Sequence, residues 1–400
     1  MPFLFCLFIY PPMIKGATLL SYGIIYGVPT LYIFFNVNRV KKIPIKQFAI
    51  IGISVLLLFF SILYPTLLGT GDYSYIKVST YVFRKLIIFI FLDIVLAKQY
   101  KSELCVEHFM YDYALTHAIY VIGTILFVAF PVIKELWFQF FVEVNESGEL
   151  LQTYGYTFRI GWQGFSGFRL TIRCTLSCIF ILYLYLNDGE KINATNKKLI
   201  LIYLLCFLGN MFYGRSGLVL TIISSIIGFL VWQKNQGKKI LRVIALLAIG
   251  IALLFRVKDA PSIYQWYIWM SSPIKNILTT GRFNNVSFNT TFYEMIFVPE
   301  IKTIIFGDGK YVENGHYYMQ TDSGLMRNIL FWGILGVLVS YGVTICSIFE
   351  LKKTNGFLTL LVIVCFIVFE LKGAVYYEFI ALMSGISFAD VVKRKNYLEQ

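Results

Sequence analysis

Long apolar runs separated by short basic turns set the hydrophobic pattern of this chain. The runs fall at about 13–35, 46–65, 76–97, 112–133, 168–187, 198–213, 216–233, 240–256, 325–349, 355–370 and 373–391. Their lengths approach the roughly 17–25 apolar residues a helix needs to cross a bilayer. A shorter apolar segment, Met1–Tyr10, ends at Pro11-Pro12 and reads as a half-helix or the remainder of a first span. It carries neither a charged n-region nor a small-residue cleavage site, so no cleaved signal peptide is expected. The pattern predicts an all-α polytopic integral membrane protein with about 11–12 transmembrane helices.

The turns decide the orientation. Arg39/Lys41/Lys42, Lys98/Lys101, Lys191/Lys197/Lys198, Lys234/Lys238/Lys239/Arg242, Lys352/Lys353 and Lys393/Arg394/Lys395 all fall on one side when spans alternate. Lys/Arg bias makes that side cytoplasmic, and with it the C-terminus. The opposite side carries two long loops, 134–167 and 257–324, rich in Tyr, Trp, Asn and Gly. Such composition suits an aromatic belt at the lipid boundary or contact with carbohydrate rings. No internal repeat, low-complexity tract or soluble domain interrupts the chain, so residues 1–400 read as a single polytopic membrane domain.

Composition agrees with the pattern. The 400 residues are 58% hydrophobic and only 14% charged, with a mean hydropathy of +0.70. The net charge of +13 would point to nucleic acid on a soluble protein. Here the basic residues lie between spans, so no nucleic-acid partner is expected and membrane lipids are. Six of the seven cysteines lie in apolar runs and Cys105 in a basic loop, so no disulfide framework is implied. Cys174 and Cys178, four apart, fit core packing better than a metal, and with no His/Cys cluster no metal site is expected.

The expected external side collects ionisable groups. Arg159 lies in RIGWQGFSGFR, and Arg169 and Arg173 follow at a four-residue spacing that shares a helix face. Arg215 sits between Gly214 and Ser216 in a minimal turn. Arg282 opens the stretch TGRFNNVSF, and Arg327 falls just inside the next helix. Arginine stays charged and offers a planar fork to phosphate oxygens; juxtamembrane arginines also snorkel to lipid headgroups. Asp322, ahead of Ser323-Gly324, reads as an acid/base if burial raises its pKa, or as the N-cap of the helix from 325. His316 lies in the same loop, whereas His108 and His117 read as structural. Asp93 shares a span with Arg84 and Lys85, which predicts an internal ion pair.

Three segments resemble the membrane family of O-antigen polymerases (Wzy-type), related to the O-antigen ligases (WaaL-type). They are RIGWQGFSGFR, the turn and helix GRSGLVLTII, and TTGRFNNVSF…IIFGDG…TDSGLMRNILFWGILG, covering about 159–336. The resemblance implies a GT-C-like glycosyltransferase in the bacterial inner membrane with its active site facing the periplasm. It implies polymerisation of undecaprenyl-diphosphate-linked repeat units into a surface polysaccharide such as O-antigen of lipopolysaccharide, with inversion and with no metal, cofactor or nucleotide sugar. Diphosphate recognition would fall to Arg215 and Arg282, supported by Arg159. Partners would be the lipid-linked donor and acceptor, with a chain-length regulator and a flippase of the same pathway. Ligases show a histidine eleven residues before the first glycine of the Gly-x-x-Gly helix; here that position is Asp322, as in a polymerase. The alternatives are a ligase acting on lipid A core and, of another class, a flippase of lipid-linked sugars.

Orientation is testable by labelling with an impermeant thiol reagent in intact cells. Asn145→Cys is expected to label from outside and Lys395→Cys only after permeabilisation; the reverse pattern would invert the topology.

Overall fold

The computed structural model describes residues 2–36, 45–100, 105–141, 160–165, 167–187, 192–231 and 294–396, with isolated positions between 264 and 279. Most of these residues are helical. Among them, five helices are long and apolar enough to cross a membrane: Thr18–Phe35, Ala49–Leu67, Val106–Ala129, Phe168–Leu186 and Gly324–Lys353, with Arg215–Val231 shorter but apolar. The expected span at 240–256 lies outside the described residues. Two two-stranded hairpins are the only β-structure among the described residues. The chain divides into two compact units, residues 1–28 with 107–282 and residues 29–106 with 283–400.

The first unit contains α1 (Pro2–Ile9), most of α2 (Thr18–Phe35), α5 (Val106–Ala129), α6 (Pro131–Phe141), the hairpin β1 (Ile160–Gly161) and β2 (Gly164–Phe165), α7 (Gly167–Leu186), α8 (Asn196–Tyr213) and α9 (Arg215–Val231). The segment Met1–Tyr10 is a half-helix with Phe5, Cys6, Phe8 and Ile9 buried, and the Thr116 hydroxyl donates to the Pro2 carbonyl. Pro131 starts a new helix after Phe130, so the loop expected from residue 134 is helical as far as Phe141. Polar side chains hold α7, α8 and α9 together. Thr171 donates to the Asn210 side-chain oxygen at 2.9 Å, and Asn210 Nδ2 donates to Thr221 at 2.8 Å. Inside an apolar medium such interhelical bonds act as glue. Gly217 allows the approach, since a Cβ there would sit 2.1 Å from Thr171 Oγ1.

The second unit contains α3 (Ile45–Leu67), α4 (Ile76–Tyr100), α10 (Ile301–Phe306), the hairpin β3 (Val312–Glu313) and β4 (His316–Tyr317), α11 (Gly324–Ile348), α12 (Gly356–Lys372) and α13 (Tyr376–Asn396). Helix α11 is broken. Gly333 takes φ 67° and ψ −173°, a conformation essentially restricted to glycine. The break frees carbonyls at the end of the first half, and the Phe306-Gly307-Asp308-Gly309 turn caps them. Asp308 N donates to Leu330 O at 2.6 Å and Gly309 N to Phe331 O at 3.2 Å. The two backbones are so close that a Cβ on Gly307 would lie 2.6 Å from Gly333 N, and one on Gly333 would lie 2.3 Å from Ile305 O.

The ion pair expected in the 76–97 span does not form. Asp93 is fully buried, and neither carboxylate oxygen has a hydrogen-bond partner. Arg84 and Lys85 turn instead to the Tyr81 ring, 6.0 and 5.7 Å from its centroid. On a helix, residues eight or nine apart lie more than two turns away, beyond contact distance.

Gly333→Ala is expected to destabilise the chain by at least about 2 kcal/mol, from left-handed strain plus collision with a backbone carbonyl. Gly342→Ala, with open space around it, should be neutral or mildly stabilising. Denaturant unfolding in detergent micelles compares them, and equal effects would remove the break.

Candidate functional site

In the first unit, residues 160–165 of the segment RIGWQGFSGFR form a tight hairpin beside α5. Ile160 pairs with Phe165 and Gly161 with Gly164, whose φ of 82° closes the turn. Trp162 stacks on Tyr120 at 5.7 Å between centroids, and its carbonyl accepts from Trp137 Nε1 at 2.9 Å. Gly123 makes room for the indole: a Cβ there would fall 1.5 Å from Trp162 Nε1. Gln163 Nε2 donates to the Pro11 carbonyl at 2.9 Å. The hairpin is therefore packed into the unit by ring contacts and not left as a loop.

The arginines of this unit differ in exposure. Arg173 is buried and lies over the Tyr10 ring at 5.1 Å. Arg169, one turn earlier, is exposed, and Arg215 is half-buried. Arg215 is the first residue of α9, directly after Gly214, whose carbonyl accepts from Thr171 at 3.1 Å. The Thr–Asn network thus fixes the turn that carries Arg215. Arg159 and Arg282 lie outside the described residues.

In the second unit, Asp322 and Arg327 stand at the start of α11, and His316 lies on the hairpin whose Tyr317 packs over Arg327. Ser323 is the N-cap, its side chain accepting from Met326 N. Gly324 lets the first turn sit against the 373–376 segment, since a Cβ there would lie 2.5 Å from both Ala374 Cα and Glu370 Oε1. Asp322 is exposed and has no hydrogen-bond or ion-pair partner among the described residues. Its capping role has passed to Ser323, and the burial attached to its role as a base is absent.

His316 is exposed on β4. Its hairpin turns at Asn314-Gly315, both at positive φ, the Asn-Gly geometry of a two-residue hairpin. Asp72 anchors the hairpin's base, accepting from Tyr311 N at 2.5 Å, Val312 N at 2.8 Å and Ser74 N at 3.0 Å. Burial pushes the Asp72 carboxyl up, but hydrogen bonds from Ser74, Val312 and Tyr311 outweigh it and hold the group below its ordinary value.

Arg327 is 8% exposed. Its guanidinium carbon lies 3.5 Å from the Tyr317 ring centroid and 4.3 Å from that of Tyr311, and Nη2 donates to the Tyr311 hydroxyl. Nε has no hydrogen-bond partner. Burial raises the Tyr311 phenol well above its ordinary value against the pull of Arg327, so it stays neutral.

Beneath these residues lies a buried polar floor. Glu370 Oε1 accepts from Asn328 Nδ2 at 3.0 Å and Tyr341 OH at 2.8 Å, and Oε2 from Val375 N at 2.7 Å and Tyr376 N at 2.8 Å. Tyr75 OH donates to Asn328 Oδ1 at 2.7 Å and meets Tyr376 OH at 2.8 Å. Sequence reading missed this floor. The signal was Glu370, a charge at the end of an apolar run. The hairpin was also missed, although Asn314-Gly315 marks it.

Among the described residues no group of three or more His, Cys, Asp or Glu side chains could hold a metal ion. Comparisons with protein-family models, with curated proteins and with solved structures each found no match.

Ser323→Ala is expected to cost about 1 kcal/mol of stability, whereas Asp322→Asn should leave stability unchanged. Thermal unfolding in detergent compares the two; an equal loss in Asp322→Asn would return the cap to Asp322.

Proposed function

We propose that the chain polymerises oligosaccharide repeat units linked to undecaprenyl diphosphate, as an O-antigen polymerase facing the periplasm of the bacterial inner membrane. The observation that carries this reading is Asp322, released from capping by Ser323 and open to an acceptor hydroxyl at the start of the helix that holds the buried Arg327; the base role then stands without the burial expected of it. The three sequence segments that resemble the family support it.

The reaction is a displacement at the anomeric carbon of the donor. Asp322 takes the proton of the acceptor hydroxyl as its oxygen bonds to that carbon. The bond to the diphosphate breaks with inversion, and the leaving diphosphate carries the negative charge. Arg215 and Arg282 neutralise that charge, as preorganised cations do at phosphate leaving groups. Arg159, Arg169, Arg173, Arg327 and His316 hold the diphosphate and glycan.

The flippase reading draws on the break in α11, because broken helices line the sites of many transporters. Against it, the turn 307–309 takes the freed carbonyls of Leu330 and Phe331, so they are not open to a substrate or ion. The ligase reading is disfavoured by aspartate at 322.

Deletion of the gene in its host tests the reading. A single repeat on the lipid core is expected, and loss of all glycan from the core would contradict it. Complementation with Arg215→Ala should fail at unchanged protein level, and Arg215→Lys should restore little because the fork is lost. Asp322→Asn should lower polymer formation by roughly 10²–10⁴-fold, the scale of a lost general base. Full polymer from Asp322→Asn together with none from His316→Ala would move the base to His316.

A further inference from the structure

A buried, unpaired cation is costly, and removing the partner of a buried charge typically costs about 3–5 kcal/mol. Arg327 has this character. It is 8% exposed, its Nε is unpartnered, and among the described residues it forms no ion pair. What it has are two tyrosine rings and one phenol hydroxyl. The rings are not equivalent. Tyr311 is buried, whereas Tyr317 is 41% exposed on the Asn-Gly hairpin. Tyr317 therefore lies as a cover between solvent and the face of the guanidinium.

The charges nearby decide which anion fits. Glu370, buried in the floor, is within electrostatic reach of Arg327. Asp322 stands at the same helix start. Lys310, the cation of the adjoining hairpin, is already bonded to Glu313 at 2.8 Å. Among the described residues around this site, one guanidinium not bonded to a carboxylate does not suit a diphosphate with several negative charges. It suits a monoanion, and the planar edge formed by Nε and its neighbouring amine matches a carboxylate in bidentate geometry.

We infer that Arg327 is the specificity residue for an acidic sugar: the glycan repeat handled by this site carries a carboxylated sugar, whose carboxylate binds Arg327 once Tyr317 moves aside. This rests on the glycan-polymerase reading and narrows the part of Arg327 within it, from diphosphate and glycan to the glycan alone.

The test is binding to the full-length protein in detergent, with methyl glucuronide, methyl glucoside and inorganic diphosphate as probes. Methyl glucuronide should bind at least about tenfold tighter than methyl glucoside, the scale of one charge-assisted hydrogen bond. Arg327→Lys should abolish that ratio. Tyr317→Ala, at an exposed position, should tighten the glucuronide, because the cover no longer competes. Equal binding of the two glycosides to the unaltered chain would overturn the inference. So would diphosphate displacing the glucuronide more effectively than the glucuronide displaces itself, which would make Arg327 a diphosphate residue. If Arg327→Lys fails to fold, the glycoside ratio and Tyr317→Ala still decide. None of these arms needs polymerisation. A lost glycoside ratio with single repeats in the deletion strain sinks only the inference; a retained ratio without single repeats sinks only the polymerase reading.

Discussion

A helix broken inside an apolar span must find donors for the carbonyls it frees, because lipid offers none. In this chain the Gly307 turn meets that demand at Gly333, and the second unit's candidate site depends on it. The same contact fixes two things at once. It ends the first half of α11, which carries Arg327 and follows directly on Asp322-Ser323, and it holds the root of the segment that runs into the His316 hairpin. Asp72 ties that hairpin down again at Tyr311 and Val312. Thr70 adds a bond to the Gly309 carbonyl at 2.8 Å. Loop and half-helix are thereby one body, although their residues are far apart in sequence.

The floor below them follows the same economy. Glu370 would be unaffordable as an isolated charge in this position, yet four donors surround it. Two come from the backbone where the chain turns between α12 and α13, and two from side chains on α11. Gly324 is glycine because anything larger would strike Glu370 and Ala374. The Asp-Ser-Gly run at 322–324 therefore divides its labour. Gly324 permits the contact, Ser323 caps the helix, and Asp322 is left exposed without a cap to make. In the first unit, Thr171, Asn210 and Gly217 set the Arg215 turn by comparable means.

Much of this was legible in the chain. Apolar run length located the helices at 45–67, 76–100, 167–186 and 324–348 to within a few residues of their ends. Tight spacing of Gly214, Arg215 and Ser216 marked the turn. What escaped the sequence was of two kinds. Positions defined by backbone strain, such as Gly333, look like any glycine in an apolar helix until the turn at 307–309 is placed against them. Side chains whose role is to satisfy another buried group, such as Asn328, Tyr75 and Tyr341, carry no local signal, because their partners lie on other helices. Asp93 marks the opposite failure: spacing alone paired it with Arg84 or Lys85, but helical geometry keeps them apart.

Reconstitution tests the central claim most directly. The purified chain in liposomes is given lipid-linked repeat units as sole substrate, with a chelator present and no nucleotide sugar. The account predicts a ladder of lengthened lipid-linked glycans. No lengthening, with the lipid-linked units instead moving between leaflets, would contradict it.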